Sequence, residues 1–234
     1  MSNSVGAGCD DRRLLSIDEV HFAASPPLPD TSRRLVQQPQ QTNRAMSTTT
    51  QTPTDRRVQK TRTALRDALL DLMVERGWDG IDVRTLCERA NVGRSTFYLH
   101  HPNKEALLKA GFADLRTALR RQARSGASSP SDPLAFVGGL IAHIHEQKQV
   151  FRALLGRRSG HFVQDRFREL LIDLFEDQRT ASRKPNWQDS AASHYLAGAL
   201  FQLLVWWLDK PRAQTAKDIE ALFRVLSQSA LKAA

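Results

Sequence analysis

The run Asn91-Val92-Gly93-Arg94-Ser95-Thr96-Phe97-Tyr98-Leu99-His100-His101-Pro102-Asn103-Lys104 gathers hydrogen-bonding side chains in one short stretch where no hydrophobic core needs them. Arg94 carries a planar fork of donors that fits guanine O6 and N7 or a phosphate. Ser95 and Thr96 offer short hydroxyls, Thr96 adds a methyl that suits the thymine methyl, and Tyr98 is long enough for a phosphate oxygen. Gly93 leaves the backbone bare, so a large ligand can come close. Lys104 opens the next helical pattern, where its charge and the unpaired N–H groups of a helix start both favour phosphate. The chemistry offered is recognition of a polyanion with readable edges, although an ordinary solvated helical hairpin can show the same spacing.

Such residues act together only if the chain holds them at the tip of a helix. "GWDGIDVRTLCERA" supplies a turn, a capping Asp82 and a short helix that buries Val83, Leu86, Cys87 and Ala90. Asn91 follows, and asparagine tolerates the left-handed conformation of a tight turn. A further short helix from about Arg94 to His100 then buries Phe97 and leaves its other side to solvent. Upstream, Thr54 or Asp55 caps a first helix whose core face is Leu65, Ala68, Leu69 and Leu72, and Gly77 ends it. Two short helices joined by a three- or four-residue turn form a helix-turn-helix, whose second helix lays its N-terminal residues in the DNA major groove.

Charge supports the same segment. The chain of 234 residues has a net charge of +9, and residues 55–124 hold fifteen Lys/Arg against nine Asp/Glu. Residues 1–54 hold five of each, and "AASPPLPDTSRRLVQQPQQTNRAMSTTTQTPT" is rich in Pro, Gln, Ser and Thr without a sustained period. That composition cannot bury enough apolar surface to offset ordering entropy, so a disordered tail is expected there. Met46 leaves open whether residues 1–45 are translated.

From about Arg57 to Leu108 the chain resembles the N-terminal domain of the tetracycline-repressor (TetR) family, and "DVRTLCERANVGRSTFYLHHPNKEAL" matches its signature nearly end to end. The resemblance implies DNA contacts from Arg84, Thr85, Gly93, Arg94, Ser95, Thr96, Tyr98, His100 and Lys104. At two places the chain departs from the pattern: His101 stands where an aromatic residue, usually Phe, is common, and Pro102 where Lys is frequent. "RSTFYLHH" is closest to a branch of the form Arg-Ser-Thr-Phe-Tyr-Leu-His-Tyr, some members of which depend on protein partners instead of small ligands.

The fold expected is all-α with about nine helices: a tail over 1–54, a helix-turn-helix domain over 55–102, and a helical ligand-binding and dimerisation bundle over 103–234. A long fourth helix starts near residue 103, with Ala106, Leu107, Ala110, Leu115 and Leu119 on its apolar side. Pro133 suits the first turn of the fifth, and apolar periodic segments follow at about 134–145, 147–156, 161–180, 187–209 and 215–232. Phe136, His143, Phe151, Trp187, Tyr195 and Trp206 are candidates to line a pocket for a small apolar effector, an expectation the resemblance strengthens; solid core is the alternative. "SHYLAGALFQLLVWWL" is apolar nearly all round and "IEALFRVLSQSAL" is amphipathic, so Leu203, Trp207, Ile219, Leu222, Phe223 and Leu226 are candidates for a dimer interface.

No catalytic constellation is legible. His143 and His145 are two apart, on different helix faces, and Cys9 and Cys87 lack ligand-like spacing, so no metal and no cofactor are expected. The longest apolar run, Ala197 to Leu208, is twelve residues with Gln202 inside it, against roughly twenty for a span, so no membrane helix and a cytoplasmic location are expected. The expected function is that of a homodimeric transcriptional regulator on a palindromic operator, a repressor released by a small-molecule effector. The alternatives are an activator or co-regulator controlled by a protein partner and, from another class, a helical ligand-binding or enzymatic bundle.

Overall fold

Helix follows helix through the computed structural model, which describes residues 53–125, 132–156, 159–179, 186–209 and 213–233. Among the described residues there are nine α-helices and no strand: α1 Pro53–Arg76, α2 Val83–Ala90, α3 Arg94–His100, α4 Lys104–Ser125, α5 Val137–Glu146, α6 Lys148–Leu155, α7 Gly160–Arg179, α8 Trp187–Asp209 and α9 Ala216–Ala233. The expected tail over 1–54 lies outside the described residues apart from its last two, Pro53 and Thr54. From Lys60 onward the chain forms one compact unit, which carries the candidate site described below.

Local chemistry sets most helix ends. Gly77 closes α1 at φ 73°, its N–H donating to the Met73 carbonyl at 3.1 Å. At its start α1 runs from Pro53, so Thr54 and Asp55 lie inside the helix and not before it. Proline suits a first turn because its missing N–H would find no partner there. Reciprocal caps start the last two helices: Asn186 and Asp189 exchange backbone-to-side-chain bonds of 3.1 and 2.8 Å, and Thr215 and Asp218 do the same at 2.7 and 3.2 Å. One boundary differs from expectation. Pro133 does not open α5, because the Asp132 carboxylate accepts from the Leu134 N–H at 2.9 Å while Arg224 of α9 binds both Asp132, at 3.0 Å, and the Leu134 carbonyl, at 3.2 Å. Those bonds hold 132–136 as a turn, and the helix begins at Val137.

The core runs through both halves. Leu65, Leu69 and Leu72 of α1 pack with Leu86 and Phe97, all buried, as the spacing required. On α4 the buried set is Leu107, Leu108, Phe112, Leu115 and Leu119, with Ala106 and Ala110 half-buried. α7 and α8 make the most extensive contact among the described helices, with α4 on α7, α6 on α8, and α9 on both α5 and α8. Arg116 and Arg120 of α4 meet Asp173 and Asp177 of α7 at 2.6–3.4 Å, a charged seam on top of the apolar one. The run of twelve apolar residues in the sequence understates α8, which at 23 residues is long and apolar enough by composition to cross a membrane; its buried side, from Ser193 to Leu208, packs within the bundle.

Candidate nucleic-acid interface

Two short helices and one left-handed asparagine build the site. Asp82 caps α2, its carboxylate accepting from the Thr85 N–H at 2.7 Å, and that bond holds the carboxyl below its ordinary range. At the other end Asn91 takes φ 52°, ψ 45°, and its N–H returns to Glu88 at 3.3 Å while the next, that of Val92, returns to Cys87 at 3.0 Å. This reverses the chain within Asn91–Gly93 and delivers Arg94 to the first turn of α3. Phe97 points inward with no exposure, its ring edge-on to Tyr98 at 5.3 Å. α3 is thereby fixed with Arg94, Ser95 and Tyr98 outward and Thr96 half-buried.

Between Asn91 and Asn103 there is no Asp or Glu. Arg94 lines a shallow groove with Asn91, Val92 and Gly93 and with Arg84, Cys87 and Glu88 of α2, so one carboxylate, paired with Arg84, borders it. Gly93 is the N-cap of α3 and has no side chain to occupy the first-turn N–H groups. Among the described residues a Cβ built there would meet only Thr96 Oγ1 at 3.8 Å and Ser95 Oγ at 3.9 Å, so none of them demands glycine. Cys87, in the wall of the groove, is buried, and burial pushes its thiol up against the opposing pull of Arg94.

The nine residues expected to meet DNA are not equivalent. Arg84 is exposed but engaged, Nε donating to Glu88 at 2.8 Å. Thr85 and His100 are half-buried, at opposite ends of the α2–α3 unit. Lys104 is held inward: Nζ donates to the carbonyls of Trp78, at 3.0 Å, and Ile81, at 2.8 Å, and lies 4.5 Å from the Trp78 ring centroid. It thus clamps the α1–α2 turn to the start of α4 and keeps one N–H for an outside acceptor. Trp78 in turn stacks on Phe162 of α7 at 5.5 Å.

Two positioning groups lie outside the nine expected contacts, and of these only His101 was marked by the sequence. Arg89 makes a two-pronged pair with Glu75 of α1, at 2.9 and 2.7 Å, which ties α2 to its support. Nothing in the spacing of residues fourteen apart signals it. His101, standing where the family pattern has an aromatic residue, fills that role: it is 7% exposed, its ring is 6.0 Å from Phe97, and its N–H closes α3 on the Phe97 carbonyl at 2.8 Å. Its Nε2 is buried without a hydrogen-bond partner among the described residues, and burial, with the charges of His100 and Arg62, lowers its pKa.

The candidates in the second half are dispersed. Phe136 and Phe151 are core residues, edge-on to Phe175 and Phe167, and His143 packs half-buried against Phe151. Trp187 and Tyr195 are 76% and 64% exposed and Trp206 is partly so; the six do not converge on one cavity. Among the interface candidates Trp207, Ile219 and Phe223 are buried in the chain's own core and so are not free to meet a second copy: Trp207 of α8 stacks on His145 of α5, and α9 turns Ile219 and Phe223 onto α5 and α8. Leu222 and Leu226 are exposed together with Val225, and Leu203 is half-buried. Among the described residues no cluster of His, Cys, Asp and Glu is placed to hold a metal.

Comparison with known proteins agrees with this geometry. Residues 65–110 match the family model for bacterial regulatory proteins, tetR family. Over 166 residues the chain is 28% identical to an uncharacterized HTH-type transcriptional regulator, YxbF, of Bacillus subtilis; the match covers 68% of this chain and 42% of the relative, so the chain spans less than half of that protein. Among solved structures it is similar to a TetR transcriptional regulator from Streptococcus agalactiae 2603V, with a TM-score of 0.56 and 27% identity over 74% of this chain and 97% of that one. A TetR transcriptional regulator from Rhodococcus sp. RHA1, at a TM-score of 0.55 and 18% identity over 74% and 97% of the two chains, shares the fold.

Proposed function

The N-terminal part of this chain is a helix-turn-helix domain of the tetR family, and from that premise we propose that the whole chain is a homodimeric, sequence-specific transcriptional regulator. It acts as a repressor whose hold on a palindromic operator is released by a small-molecule effector. The observation that carries the reading is the outward face of α3: Arg94, Ser95 and Tyr98 stand free of any acidic neighbour on the segment, over a glycine that the chain's own packing does not require. A bare backbone at a helix tip is useful when a bulky polyanion must come within contact distance. Arg94 reads a base edge, and Tyr98 and the remaining N–H of Lys104 meet phosphates.

Two recognition helices are needed for a two-part operator, and a two-fold dimer supplies them. Support comes from the outer faces of the last helices. α9 leaves Leu222, Val225 and Leu226 exposed at 43%, 63% and 64%, and α8 leaves Tyr195, Ala199 and Leu203 on one side. Such faces suit a four-helix contact between copies. The test is sequencing of DNA that co-purifies with the protein, followed by binding to the enriched sequence at several salt concentrations. A shared palindrome whose affinity falls steeply with salt is expected; DNA without a common motif refutes the reading.

A further inference from the structure

The end of α6, the start of α7 and the C-terminal half of α8 enclose an open cleft of about 540 Å³, a volume in the range of small-molecule sites. Of the aromatic residues that the sequence offered as pocket lining, Trp206 and Phe201 border it. Leu155, Phe201, Val205 and Leu208 give it an apolar floor, and two guanidinium groups border that floor. Arg152 donates from Nε to the Leu208 carbonyl at 2.7 Å, which fixes its plane; among the described residues its two terminal nitrogens have no acceptor. Arg168 lies over Phe201, 4.0 Å from the ring centroid, with one terminal nitrogen on Asp165 at 2.8 Å. Gln164 holds the end wall in place through Nε2, which reaches the carbonyls of Leu155 and Gly156 and the hydroxyl of Ser159. Asp209 is the one carboxylate among the lining residues.

We propose that this cleft binds an organic anion with a flat apolar body, the acidic group on the Arg152 and Arg168 side and the body against Phe201 and Trp206. A neutral apolar guest would strip water from two cations and return nothing, and a cationic guest would be repelled by them. An anion gives Arg152, already oriented by its bond to α8, the acceptor it lacks, and adds a second to Arg168, which the ring beneath it and Asp165 already hold. The site narrows the effector of the proposed function to a chemical class and rests on that function for its regulatory meaning, whereas binding itself is measured without DNA.

The probes are 8-anilinonaphthalene-1-sulfonate and uncharged N-phenyl-1-naphthylamine, which keeps the rings and lacks the sulfonate. The full chain is expected to bind the sulfonate dye saturably and more tightly than the neutral one. Arg152→Gln with Arg168→Gln should weaken the sulfonate dye about tenfold, the value of two partly exposed charge pairs, and leave the neutral dye nearly unchanged. Trp206→Ala should weaken both dyes, while Arg121→Gln, an exposed arginine of α4, should change neither. If the double variant melts early, Arg168→Gln alone gives the same comparison with the bond between Arg152 and α8 intact. Equal affinity for the two dyes, an unchanged sulfonate affinity in the variants, or an equal loss in Arg121→Gln overturns the site. Lost dye selectivity with operator binding intact defeats the ligand class alone; absent operator binding with selectivity intact defeats the DNA-binding reading alone.

Discussion

Replacing Leu226 separates a contact between copies from a contact within one. Its side chain is 64% exposed on the outer face of α9, one turn from Leu222 and beside Val225. Full burial of a leucine side chain stabilises by roughly 1.5–3 kcal/mol, so the exposed two-thirds of Leu226 is worth about 1–2 kcal/mol if a second copy covers it. Two-fold symmetry places the residue twice in the interface. Leu226→Ser should therefore weaken the dimer by about 2–4 kcal/mol, roughly thirty- to thousandfold in Kd. Leu226→Asp should weaken it further, since each copy then carries a carboxylate into a dry contact. Phe223, three residues earlier and 2% exposed, provides the contrast. Phe223→Ala should cost about 3–5 kcal/mol of folding stability, because its ring packs on Phe175 of the same chain. Sedimentation equilibrium at micromolar concentration, paired with thermal melts, reads both effects. A Leu226→Asp protein that stays dimeric with an unchanged melt would place the interface elsewhere and refute the reasoning.

Arg94→Ala should weaken operator binding by about 1–3 kcal/mol and relax preference at one base position in each half-site, as read by a binding-site selection; unchanged affinity would remove Arg94 from the interface. Lys104→Met should lower the melting temperature as well as DNA affinity, because the Trp78 and Ile81 carbonyls lose their donor at a cost of about 1–3 kcal/mol. An unchanged melt would mean that the clamp contributes nothing. Stability should also fall with acid through the histidine range. Burial holds His101 and His143 below their ordinary pKa, so the unfolded chain takes up protons first as pH drops below about 6.5. Chemical denaturation should thus show a plateau above that pH and a decline below it, reduced in His101→Phe; an identical decline in that variant would exclude His101 as a cause.

The sequence alone determined the elements whose causes are local. α3 is legible as Arg94–His100 because an asparagine that tolerates the left-handed turn, a glycine and an inward Phe97 mark its start and its buried side, and α8 and α9 are legible from their apolar periods, whose ends the structure seals with the Asn186/Asp189 and Thr215/Asp218 caps. Periodicity also shows which residues of a helix are apolar, but not what covers them. The same pattern at Phe223 and Leu226 becomes own core in one case and outer surface in the other, since the angle at which α9 meets α5 and α8 depends on residues far along the chain. For the same reason Trp187 and Tyr195, aromatic and pocket-like in sequence, lie outside, and the cleft gathers Arg152, Arg168 and Phe201 from three helices. Charge partners followed that rule as well. Arg84 and Glu88, four apart, are a local pair, whereas Arg89 finds Glu75 and Lys104 finds the Trp78 carbonyl only once α1, α2 and α4 have packed. Bonding over one helical turn is set by backbone geometry, and bonding between helices is set by how side-chain volumes fill the space between them.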